Sequence, residues 1–146
     1  FAGFVTGVVC SLIGTQIMGE FGPLVTLRIA IGSGAAFLTA QLLDVAIFDR
    51  LRAGAWWRAP LASTLVGSSV DTAIFFTIAF SGGLSFVEPA NDVSWANEAL
   101  PLLSAGPVVP LWVSLAVADW LVKLSLAIVA LVPFRLIVDR LRAQVA

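Results

Sequence analysis

Long apolar runs alternate with short polar breaks along this chain. Four of the runs approach the roughly 20 residues that a helix needs to cross a bilayer: 1–18, 25–48, 60–80 and 110–132. In the first, Gly3, Gly7, Ser11 and Thr15 recur at spacing four, a small-residue stripe suited to close helix packing. The second has no charge between Arg28 and Asp44. Ser33, Phe37, Gln41, Asp44 and Phe48 share one of its faces, and Gly32, Ala36 and Ala40 form a packing stripe beside it. In the third, Ser63, Gly67, Asp71 and Phe75 fall at spacing four and read as the wall of a cavity. The fourth carries Asp119 and Lys123 four residues apart, and Pro133 is expected to weaken the helix just beyond it.

The breaks differ in kind. Glu20, Gly22 and Pro23 make a short turn. Residues 49–60, DRLRAGAWWRAP, form a basic loop with two tryptophans. Residues 81–109 hold Glu88, Asp92 and Glu98 but no Lys or Arg, and Pro89, Pro101 and Pro107 argue against a continuous helix. A short apolar piece at 99–103 reads as a re-entrant or surface segment. No domain boundary is evident, so residues 1–146 are expected to be a single transmembrane domain, an all-α polytopic helix bundle.

Composition agrees. The chain is 60% hydrophobic and 12% charged, against roughly 45–50% and 25% in soluble domains. A net charge of -1 gives no reason to expect nucleic acid as a partner. There is no histidine and one cysteine, Cys10, which removes Ser–His catalysis, most zinc or haem ligation and any intrachain disulfide. No cofactor, metal or enzymatic activity is therefore expected, and no local motif supports a Ser–Lys pair built on Lys123. The opening FAGFVTGVVC has no Met and lies inside an apolar run, so the chain is expected to lack its N-terminal helices.

Orientation follows from the positive-inside rule. Arg50, Arg52 and Arg58 in the 49–60 loop, with Arg135, Arg140 and Arg142 in the tail, make six of the eight basic residues. The loop and C-terminus are expected to be cytoplasmic, and the acidic connector outside.

Five polar groups within the spans stand out: Gln41, Asp44, Asp71, Asp119 and Lys123. A carboxylate at the centre of a membrane helix costs about 2.5–3.5 kcal/mol on insertion scales, so such groups pair with one another or mark a substrate or ion path. Each also has a structural reading. Asp119 and Lys123 can neutralise each other along one helix, and Asp71 can accept from neighbouring hydroxyls. Asp44 can reach the interface, Gln41 can join two helices, and Arg28 is expected to snorkel outward. Ser33, Phe37 and Phe75 suit packing as well as a site. Trp56, Trp57, Trp95 and Trp112 suit an interface belt, whereas Trp120 lies deeper, beside Asp119. As a set, carboxylates, an amide and aromatic faces can hold a planar heterocycle bearing N–H donors and carbonyl acceptors. A proton relay would use the same charges.

In order, RIAIGSGAAFLTAQLLDVAIFDRLR, WWRAP, ASTLVGSSVDTAIFF and ADWLVK run from Arg28 to Lys123. This order resembles the bacterial queuosine-precursor transporter family, also called the vitamin uptake transporter family. The resemblance implies a six-helix inner-membrane importer of 7-cyano-7-deazaguanine, with its aminomethyl relative as a further substrate. It implies about two more helices before Phe1. It places family-like polar positions at Gln41, Asp44, Asp71, Asp119 and Lys123. Trp120 stands where the family tends to have Tyr, which leaves stacking as its contribution, and the acidic connector is longer than the family leads one to expect. The expected site is thus Gln41, Asp44, Asp71, Asp119, Lys123, Ser33, Phe37, Phe75 and Trp120. Its expected partners are a deazapurine and the bilayer, with any energising partner unknown. The alternatives are a substrate-binding subunit of an energy-coupling-factor vitamin importer, a membrane enzyme and a structural anchor.

Overall fold

Apolar residues that cannot bond water force the backbone to satisfy itself, and each of the four runs does so as a helix. The structure, a computed structural model, describes residues 2–20 and 22–145, with side chains through 137 and that of 140. Phe1, the expected start of the first span, and the side chains of Asp139 and Arg142 in the basic tail lie outside the described residues. The helices are α1 (Ala2–Gln16), α2 (Leu27–Leu51), α3 (Arg58–Phe80) and α4 (Leu111–Val145). Three are long and apolar enough to cross a membrane: α2, α3 and the Leu111–Ile137 part of α4. The chain is therefore a multi-pass helical membrane protein. At 15 residues α1 is shorter, about 22 Å against a hydrocarbon core of about 30 Å.

Helix α4 extends beyond the expected fourth span. It runs on through Pro133, where a break would be the natural reading. Proline forfeits one backbone bond, but in an apolar environment the remaining carbonyls and amides have no better partner than the next helical turn.

Between α1 and α2 the chain reverses through paired strands β1 (Met18–Gly19) and β2 (Gly22–Pro23), where Gly22 takes φ +124. Thr26 caps α2, accepting from Ile29 N–H at 3.3 Å. The connector after α3 is not one helix, as its prolines indicate. It contains three 3-10 turns and an antiparallel hairpin of β3 (Ala99–Pro101) with β4 (Val108–Pro110). The apolar piece at 99–103 is thus a surface segment, an exposed hairpin strand leading into a 3-10 turn. Asn97 fastens this region. Its Nδ2 donates to Phe80 O at 2.9 Å and Val93 O at 2.8 Å, and its Oδ1 accepts from Gly82 N–H at 3.0 Å. Outside the membrane, the Ser94 backbone N–H beside Asp92 holds that carboxyl below its usual range.

The packed centre lies between α2 and α3, and its residues are small. A Cβ on Gly32 would stand 3.3 Å from Phe75 O, and Ala36, Ala59 and Ala79 are buried. Large side chains such as Leu42, Val45, Leu126 and Val129 point outward, as expected where lipid rather than water surrounds the bundle. Helix α1 packs on α2, with Phe4 stacked on Phe37 at 6.2 Å.

Candidate functional site

Helices α3 and α4 are joined by charge near the middle of both. Asp71 and Thr72 are adjacent on α3, while Asp119 and Lys123 occupy one face of α4. Lys123 Nζ lies 2.6 Å from Asp119 Oδ2 and 2.7 Å from Asp71 Oδ2, and donates to Thr72 Oγ1 at 3.1 Å. Thr72 in turn donates to Asp119 Oδ2 at 2.8 Å. The intrahelical pair expected from the spacing is present, and the same ammonium also reaches across to α3. Two carboxylates share one cation, so with all three groups ionised the cluster carries one net negative charge. Trp120 adds a neutral tie: its Nε1–H donates to Ser69 Oγ at 2.9 Å.

A second polar station joins α2 to α3. Ser63 Oγ donates to Asp44 Oδ1 at 2.6 Å. A Cβ on Gly67 would meet that same oxygen at 2.8 Å. Only glycine lets the carboxylate approach the α3 backbone so closely.

A third lies at the other end of the same helix pair. Arg28 does not snorkel outward: it is fully buried. Its Nε donates to Ile78 O at 2.9 Å and its Nη2 to Ser81 O at 2.6 Å, at the C-terminal end of α3 where carbonyls lack helical partners. Glu88 complements it, accepting from the N–H groups of Leu27 and Arg28 at 3.1 Å each and so capping α2.

The structure therefore gathers Asp71, Asp119 and Lys123, with Trp120 close by, and distributes the other expected residues. Asp44 is separate, with Ser63. Gln41 is exposed on α2. Ser33 and Phe37 face α1, lining a cavity of about 170 Å³ with Gly3, Phe4, Gly7 and Ser11. Phe75 belongs to an aromatic cluster with Phe76 and Phe80, extended from Phe80 to Trp95. Thr72, Ser69 and Glu88 were not anticipated. Thr72 had a signal, since it is a hydroxyl adjacent to a mid-span acid; Glu88 had none, because its partners are 60 and 61 residues away.

Residues 2–138 match the family described as "Putative vitamin uptake transporter". The chain is 38% identical over 111 residues to a protein of Haemophilus influenzae named "Probable queuosine precursor transporter", covering 75% of this chain and 39% of that one. It is 36% identical over 107 residues to the "Queuosine precursor transporter" of Escherichia coli, covering 73% and 39%. The matched part thus spans about two-fifths of the length of these relatives. No solved structure matches the chain.

Proposed function

The chain belongs to the vitamin uptake transporter family, and from that premise we propose that it forms part of a bacterial inner-membrane importer of a queuosine precursor, 7-cyano-7-deazaguanine, with the aminomethyl relative as a second substrate. The observation that carries this reading is the Asp71–Thr72–Asp119–Lys123 cluster, held between two apolar helices long enough to cross a bilayer. In the proposed site a free Asp71 oxygen accepts from the ring N–H and exocyclic amine, and Asp119 with Lys123 forms the opposing wall or gate. Trp120 and Phe75 offer aromatic faces, and Ser33 and Phe37 shape the α1 side. Gln41, on α2, reads a carbonyl edge. The excess negative charge of the cluster suits uptake of one proton per cycle, which would couple import to the proton gradient. The basic 49–60 loop and the C-terminus face the cytoplasm in this reading.

The test is uptake of labelled 7-cyano-7-deazaguanine by cells making the full-length protein. Saturable uptake, lost in Asp71→Asn at equal membrane abundance, is the expected result. A well-expressed wild type that imports nothing alone, and imports only with an ATPase module, would overturn self-sufficient transport in favour of a partner-dependent importer.

A further inference from the structure

We propose that Asp44 is the acceptor of a second ligand station, distinct from the Asp71 cluster, and that Ser63 and Gly67 are the positioning residues that aim it. This rests on the reading of the chain as a deazapurine importer. Ser63 lies nine residues before Thr72 on α3, so the two stations are about 13 Å apart along the helix. Asp44 stands at the edge of a groove of about 560 Å³ lined also by Val45, Phe48, Asp49, Arg52 and Ser63.

The geometry leaves the carboxylate half used. Oδ1 takes the Ser63 hydroxyl at 2.6 Å and sits where a Cβ on Gly67 would be. Among the described residues no donor reaches Oδ2. Asp49, the other acid on the groove, already has a cation, Arg52, at 3.2 Å. Asp44 is thus the acceptor left open, fixed from behind by α3 and free in front.

Four residues on, and on the same face of α2, Phe48 is exposed. A carboxylate acceptor beside an aromatic face suits a planar, neutral heterocycle with an N–H donor: the N–H meets Oδ2 and the ring lies on Phe48. In an importer such a station receives the ligand after the mid-membrane cluster releases it, on the side of the 49–60 loop.

Asp44→Asn separates this role from a purely structural one. Asparagine keeps an oxygen for Ser63 and the same shape, but turns an N–H toward the ligand. With the full-length protein in sealed proteoliposomes and labelled 7-cyano-7-deazaguanine as probe, the expected result is an apparent KM raised about tenfold or more at unchanged thermal stability, the loss expected for a hydrogen bond to a charged group. Gly67→Ala, which displaces Oδ1, is expected to raise KM in the same direction, and Ser63→Ala by a smaller factor that Ser63→Thr recovers in part. A deazapurine lacking the exocyclic amine should bind more weakly than the parent to wild type, with that difference shrunken in Asp44→Asn. A stable Asp44→Asn protein with wild-type KM would overturn the station and leave Asp44 as a helix clamp. A wild type that neither binds nor imports the deazapurine, yet binds another N–H heterocycle in an Asp44-dependent way, would overturn the proposed substrate and keep the station.

Discussion

The two faces of α3 are fastened by opposite means. Against α2, the helices meet through Gly32, Ala36 and Gly67, with a backbone carbonyl within 3.3 Å of where a Gly32 side chain would begin. Arg28 lies toward one end of that seam, and Asp44 with Ser63 toward the other. Against α4, ionic groups meet well inside both helices, with Lys123 Nζ within 2.7 Å of an oxygen of both Asp71 and Asp119. Close packing of small residues is what holds membrane helices together when lipid is as apolar as leucine. An ion cluster is a poor substitute, because well-packed apolar groups of equal volume often do as well or better. The small-residue part of the α2–α3 seam is thus explained by stability, and the α3–α4 seam calls for a functional explanation.

The largest expected effect tests that contrast. Lys123→Met leaves two carboxylates and a threonine around a missing cation and should cost about 3 kcal/mol, read as a lower melting temperature and reduced membrane abundance. Replacing all three ionic groups, as Asp71→Leu with Asp119→Leu and Lys123→Met, should recover most of that stability while uptake stays lost. Recovery of uptake would end the distinction between the seams. Next is Arg28→Lys, which keeps the charge but loses the planar fork onto Ile78 and Ser81. A loss of about 2 kcal/mol is expected by thermal unfolding in detergent. Gly32→Leu should follow at about 1.5 kcal/mol, since its extra atoms must push α2 from α3, and uptake per folded molecule should fall little. Trp120→Phe removes one neutral hydrogen bond to Ser69 and should cost about 1 kcal/mol, with only a modest change in uptake.

The helices were legible because each apolar run exceeds what a loop could satisfy in lipid. Residues such as Asp119 and Lys123 were legible because their partnership is local, four residues along one helix. What depends on distant neighbours was not. Arg28 reads as an outward-reaching cation until the carbonyls of Ile78 and Ser81 are placed beside it. Ser33 and Phe37 share a helical spacing with Gln41 and Asp44, yet spacing cannot say that α1 covers the first two while α3 meets Asp44. Gly67 reads as part of a cavity wall with Ser63 and Asp71; its use appears only when the Asp44 oxygen lies 2.8 Å from the position of its absent side chain. Pro133 does not end α4, because helix-breaking rules learned in water weaken where no water competes for the freed carbonyl.

The central claim is that the charge at mid-helix serves import of a queuosine precursor. It is tested most directly by the queuosine content of tRNA in a precursor-requiring strain supplied with 7-cyano-7-deazaguanine, comparing the full-length wild-type gene with Asp71→Asn at equal membrane abundance. The account predicts that wild type restores queuosine and the variant does not. Equal restoration by both would remove Asp71 from the transport site, and no restoration by an abundant wild type would contradict the proposed cargo itself.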